Sequence, residues 1–163
     1  MRAPATGTTA TAGDPQAGTA SALRFEQPLR NGKGEPLRLL VVEDEALVAL
    51  DLADIVTRMG ATVVATSATE DEAVAAFERH RPDVVLMDVR LRRGDGITAS
   101  QRLRAAGPAP IVFVTASTDA DTRRRMEAIA GAPIVSKPVR ARDLRFAILV
   151  AIGAPDPRAT PAG

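Results

Sequence analysis

Five short apolar runs constrain this chain more than anything else in it. They are Leu37–Val42 (LRLLVV), Thr62–Ala65 (TVVA), Val84–Met87 (VVLM), Ile111–Val114 (IVFV) and Pro133–Val135 (PIV). Each is too short for a buried helix and is bounded by turn signals. A continuous apolar run of that kind suits a strand covered on both faces. The stretches between the runs have helical spacing, so strands alternate with helices. That alternation predicts an α/β fold, a doubly wound, five-stranded parallel sheet with helices on both faces. Right-handed crossovers then favour the flavodoxin-like strand order 2-1-3-4-5.

The helices are expected at five places. The first follows Glu43-Asp44-Glu45, with Asp44 as N-cap and Val48, Leu52, Ile55 and Met59 as its core stripe. Gly60 closes it. The second spans Thr69–His80, with Thr69 and Glu72 spaced as a capping box. The others are expected over Ile97–Ala106, Asp119–Ala130 and Arg140–Ile152. Residues 1 to about 36 are rich in Ala, Thr, Gly and Pro and read as a disordered tail. A short docking peptide around Leu23–Leu29 is the alternative. The folded domain is expected over residues 37–152, followed by a loose tail over 153–163.

Composition removes several functions. With no Cys there is neither a disulfide scaffold nor a thiolate metal site. A net charge of +1 makes no electrostatic case for nucleic acid or a membrane surface. Trp and Tyr are absent, so base stacking is poorly supplied. No run approaches the roughly 20 apolar residues of a membrane span, and the N-terminus lacks a signal-peptide core. A cytoplasmic protein is expected. His80 is the one histidine, so neither a histidine phosphodonor nor a Ser-His-Asp triad is available.

In such sheets, ligands meet the carboxyl ends of the strands. Those ends carry Glu43 and Asp44, then Asp88, then Thr115, then Lys137. Strand three is central in the expected order, so these groups converge on Asp88. Three carboxylates repel one another without a cation. Oxygen-only donors imply a hard divalent ion, and Mg²⁺ is the natural one. A Lys and a hydroxyl alongside imply an incoming anion. Together they suit phosphoryl transfer onto an aspartate. Singly, each residue has an ordinary reading: a cap, a helix N-terminus, a turn Thr, a solvated Lys.

Glu43-Asp44, Asp88, Asp95-Gly96, Thr115-Ala116 and Lys137-Pro138, each after its strand and in this order, resemble the receiver domain of two-component response regulators. The resemblance covers residues 37 to about 152. It implies that Asp88 is the phosphoacceptor and that Asp44 binds Mg²⁺ directly. Glu43 would bind the ion directly or through water, and the main-chain carbonyl of Arg90 would be a further ligand. Lys137 would pair with the phosphoryl group, and Thr115 and the Ala116 amide would hydrogen-bond it. Thr115 and position 134 would form the switch.

Several positions depart from the family pattern. Ile134 stands where Tyr or Phe is usual, Arg92 where many members have Pro, and Val139 where Phe is common. The turn before strand five, Gly131-Ala132-Pro133, is short. The resemblance implies a single-domain phosphoacceptor, supplied by a sensor histidine kinase or a histidine phosphotransfer protein. Its output would be binding of a downstream protein, or drainage of phosphoryl groups, by a monomer or weak homodimer. It would catalyse only its own phosphorylation and dephosphorylation. Two alternatives stand beside this: a haloacid-dehalogenase-like phosphohydrolase and a non-phosphorylated interaction module. The hydrolase wants its nucleophile after strand one in Asp-x-Asp, where this chain has Glu43-Asp44-Glu45. Ala46, Leu47 and Leu50 lie off the expected core stripe of the first helix and are candidates for a docking surface near Asp44.

Overall fold

The computed structural model describes residues 27–154 except Ala109, Ser117, Thr118 and Ala130. Its strands are β1 (Arg38–Val42), β2 (Thr62–Ser67), β3 (Val84–Met87), β4 (Ile111–Thr115) and β5 (Ile134–Ser136). Its helices are α1 (Ala46–Arg58), α2 (Glu70–His80), α3 (Gly96–Ala106), α4 (Ala120–Glu127) and α5 (Ala141–Ala151). All strand pairs are parallel, in the order β2-β1-β3-β4-β5 expected from the alternation.

Period-two alternation along the strands feeds two cores. Leu39, Val41, Val84, Leu86, Val112, Val114 and Val135 face α1 and α5. Leu40, Val42, Val85, Met87, Ile111 and Phe113 meet Ala73 and Phe77 of α2, Ile97 and Leu103 of α3, and Met126 of α4. β3 is buried at all four positions, which explains its unbroken apolar sequence. Among the described residues no helix is long and apolar enough to cross a membrane.

Local signals account for most boundaries. Thr69 caps α2 by accepting from the Glu72 amide, while the Glu72 carboxylate reaches the Ala68 amide rather than that of Thr69. Gly60 takes φ +81° after α1, a left-handed turn that suits glycine. Asp119 caps α4, which ends at Glu127, short of the expected Ala130.

Three expectations are corrected. The N-cap of α1 is Glu45, without a side-chain cap bond, not Asp44. The α1 stripe is centred on Ala49, Leu52, Val56 and Met59, and Val48 and Ile55 lie half-buried on its flank. The seam keeps Leu52 and Met59, while Ala49 and Val56 take the places expected of Val48 and Ile55. Third, residues 27–36 are not a disordered tail. Leu29 is 1% exposed, its amide donates to Met59 O, and its carbonyl accepts from Leu37. Arg145 of α5 donates to Gln27 O at 2.7 Å. Leu23 and Phe25, of the suggested docking peptide, lie outside the described residues, as does the tail from 155.

Candidate phosphoacceptor site

Parallel strands end together, and β1, β3, β4 and β5 deliver their next residues to one edge. Glu43 and Asp44 follow β1, Asp88 follows β3, Thr115 closes β4, and Lys137 follows β5. The ladder continues past the strands: Asp88 N donates to Val42 O, and Lys137 N to Thr115 O at 3.0 Å. The side chains are therefore fixed by main-chain registry rather than by loop packing.

Lys137 Nζ donates to Glu43 Oε2 and to Asp88 Oδ2, both at 2.6 Å. The remaining Asp88 oxygen accepts from the Arg90 amide at 3.2 Å, and that of Glu43 from the Glu45 amide at 3.2 Å. Glu43, Asp88 and Thr115 are buried, and Asp44 is half-buried. Burial pushes the Glu43 carboxyl above the usual range; the Lys137 hydrogen bond opposes this and the nearby Asp88 charge adds to it. Burial alone pulls the Lys137 ammonium down, but its bonds to Asp88 and Glu43 outweigh that and raise it.

One carboxylate oxygen from each of Glu43, Asp44 and Asp88 lies within 4.8 Å of the others. The donor set is all oxygen and all anionic, which fits a hard divalent ion such as Mg²⁺. Lys137 is more committed than the sequence suggested. It already neutralises two carboxylates, where it was expected to await an anion.

The loop after β3 closes tightly on Asp88. Gly96 N donates to Val89 O, Arg90 and Asp95 form an antiparallel bridge, and Asp95 caps α3 through the Ile97 amide. A Cβ at Gly96 would overlap the Asp88 carbonyl oxygen, so the Gly of Asp95-Gly96 is required by close approach. Arg92, in the same loop, reaches the Asp44 carbonyl at 3.5 Å, the outer limit of a hydrogen bond.

The sequence profile of the response regulator receiver domain matches residues 39–149. The chain belongs to that family. The transcriptional regulatory protein PdtaR of Mycobacterium tuberculosis is 38% identical over 117 residues, covering 72% of this chain and 57% of that protein. A protein-glutamate methylesterase/protein-glutamine glutaminase of Archaeoglobus fulgidus is 36% identical over 104 residues, covering 63% of this chain and 30% of that protein. The chain thus spans well under two thirds of the curated relatives it matches. Among solved structures, the receiver domain of a modulated diguanylate cyclase from Desulfovibrio desulfuricans is similar. It has TM-score 0.68, 33% identity, and coverage of 73% of this chain and 95% of that one. The receiver domain of PhyR from Erythrobacter litoralis has TM-score 0.64 and 26% identity, over 81% and 99% of the two chains.

In this receiver Ala116 is exposed just after Thr115, and Ile134 is half-buried against the core that holds Phe113, Met126 and Ile129. Ser117 and Thr118, which follow Ala116, lie outside the described residues. Leu47 and Leu50 are 81% and 66% exposed, as their place off the stripe requires. One contact had no sequence signal. Arg125, one of three consecutive arginines, donates to Asp95 Oδ2 at 2.6 Å.

Proposed function

We propose that this receiver accepts a phosphoryl group on Asp88 in a Mg²⁺-dependent reaction. The observation that carries the reading is the position of Asp88: its carboxylate bonds the Lys137 ammonium and lies within 4.8 Å of the carboxylates of Glu43 and Asp44. An Asp88 oxygen attacks the phosphorus of a phosphohistidine. The P–N bond breaks with its electron pair on the imidazole, which takes up a proton, and an acyl phosphate forms on Asp88. Glu43, Asp44 and Asp88, with the Arg90 carbonyl, would hold the ion, whose charge draws electron density from the phosphoryl oxygens. Lys137, bonded to Asp88, would turn to those oxygens as negative charge moves outward. The Thr115 hydroxyl and the Ala116 amide, at the neighbouring strand end, would donate to the rest.

The donor would be a sensor histidine kinase or a histidine phosphotransfer protein. The output would be phosphorylation-dependent binding of a downstream protein, or drainage of phosphoryl groups from the kinase. Catalysis would be confined to the receiver's own phosphorylation and dephosphorylation. The test is intact-mass measurement after incubation with acetyl phosphate and Mg²⁺. The wild type should gain one phosphoryl group, and Asp88→Asn, which keeps shape but loses the nucleophile, should gain none. Stoichiometric labelling of Asp88→Asn would remove the assignment, and steady turnover of p-nitrophenyl phosphate would favour the hydrolase instead.

A further inference from the structure

We propose that the Asp95–Arg125 ion pair is a latch that ties α4 to the phosphoacceptor loop and holds α4 in the position of the unphosphorylated receiver. The inference rests on Asp88 being the phosphoacceptor, and adds how its state is passed on.

The loop end of the latch is rigid. From Asp88 the chain runs out and back within a few residues, closed by Gly96 N on Val89 O and by the Arg90–Asp95 bridge. Asp95 Oδ1 accepts from the Ile97 amide at 2.9 Å, and Oδ2 from the Thr98 hydroxyl at 3.0 Å. Its carboxylate is thus fixed to the start of α3 and, through Gly96, to the carbonyl of Val89 next to Asp88. The oxygen that takes Thr98 also takes Arg125, in a short charge-assisted bond.

The other end is loose. Within α4 only Met126 is buried. Its three consecutive arginines are all exposed. Arg124 pairs at 3.6 Å with Asp121 of its own helix, and among the described residues Arg125 is the one of the three that bonds another element. A helix with so little buried surface is free to shift unless a specific contact holds it.

α4 also begins a few residues after Thr115, so it is tied to the site twice: along the chain through Thr115, and across through Asp95. If Thr115 is drawn toward a phosphoryl group on Asp88, α4 is pulled by one tie against the other. The ion pair then has different strength in the two states, which is what a coupling requires. Ile134, half-buried against Met126 and Ile129, is β-branched and has few χ1 states, so it offers little alternative adjustment. Coupling is reciprocal. If the pair favours the unphosphorylated state, breaking it must favour the phosphorylated one by the same factor.

The test uses the full chain and beryllofluoride with Mg²⁺ as the phosphoryl mimic. Four proteins are compared: wild type, Arg125→Gln, Arg125→Lys and, as a control on the same helix, Arg123→Gln. Without mimic, amide hydrogen exchange in α4 should quicken in Arg125→Gln and stay unchanged in Arg123→Gln. Arg125→Gln should bind the mimic roughly two- to fivefold more tightly, the span of a half-exposed ion pair. Arg125→Lys should fall between it and the wild type, and Arg123→Gln should match the wild type. A wild type that binds the mimic while Arg125→Gln binds it equally or more weakly overturns the latch alone. A wild type that does not take up the mimic overturns the phosphoacceptor reading, and the latch with it.

Discussion

Lys137 Nζ lies 2.6 Å from Glu43 Oε2 and 2.6 Å from Asp88 Oδ2. One cation therefore offsets two carboxylates that are almost wholly buried, while its own side chain is 15% exposed. Removing it would leave two charges without compensation. Losing one partner of a buried ion pair costs about 3–5 kcal/mol. Lys137→Met should therefore lose on the order of 3 kcal/mol in urea unfolding with chelator present, and Mg²⁺ should return part of it by supplying the missing positive charge. An equal loss with and without Mg²⁺ would mean that the ion does not enter this cluster.

Asp44 bears on the same question from the other side, because it is the one member of the acidic cluster outside the Lys137 bonds. Ligand that binds only the folded state stabilises it by mass action, about 2.7 kcal/mol at a hundredfold excess over Kd. Mg²⁺ should raise the melting temperature of the wild type and do much less for Asp44→Ala. Matching shifts in the two proteins would take Asp44 out of the ligand set.

Asp95 sets a pH dependence. Partial burial alone would raise its pKa, but the Ile97 amide, Arg125 and Thr98 hold it below the usual carboxylate value. A folded-state pKa below the unfolded one means that the unfolded chain binds the proton first as pH falls. The stability Asp95 supplies is therefore present above its unfolded value near 3.8 and disappears as pH drops from there through the folded value. Asn is an equally good N-cap, so Asp95→Asn isolates the charge. The wild type should exceed it by less than about 1 kcal/mol at neutral pH, since the pair is solvent-screened. The urea midpoints should converge below pH 4, and a gap that widens toward acid would contradict the assignment.

The same residues show what the sequence could and could not tell. Asp88 was legible because an apolar run too short for a helix ended on it, and strand order then fixed its neighbours. Glu43, Asp44, Thr115 and Lys137 followed from that one topological step. Leu29 was not legible: it is buried by an irregular turn, which has no period to detect. Nor was Ala49, because hydrophobic stripes are weighted toward bulky residues and an alanine adds little to the pattern. The Arg125–Asp95 pair joins residues 30 apart in the chain, and a run of arginines carries no address.

Leu47 and Leu50 stand exposed on the first turns of α1, the helix that follows Asp44. Leu47 also borders a groove of about 300 Å³ with Val48, Asp51, Leu52, Lys137, Pro138 and Val139. Apolar surface at the mouth of the site suits a helix laid into a groove. Leu47→Glu should slow transfer from the cognate histidine phosphodonor at least tenfold and leave uptake from acetyl phosphate, which needs no protein surface, unchanged. Equal slowing with both donors would trace the effect to the site rather than to docking.

Gly96 gives the sharpest test of how the loop holds Asp88. The Asp88 carbonyl occupies the space a side chain would need, and the Cα of Val89 stands 3.0 Å from the same point. Both obstacles are main chain, so neither can swing aside. Gly96→Ala must move the backbone on one side or the other. Overpacking of this kind typically costs 1–3 kcal/mol, and here the displaced atoms include those that set the Asp88 carboxylate against Lys137. The variant should unfold at lower urea and label at least tenfold more slowly with acetyl phosphate. Gly34→Ala is the comparison, since its φ of +78° is strained for a side chain but nothing lies within 4 Å of its missing Cβ. That variant should lose stability and keep its labelling rate. If Gly96→Ala also labelled at the wild-type rate, the loop would not be what positions Asp88.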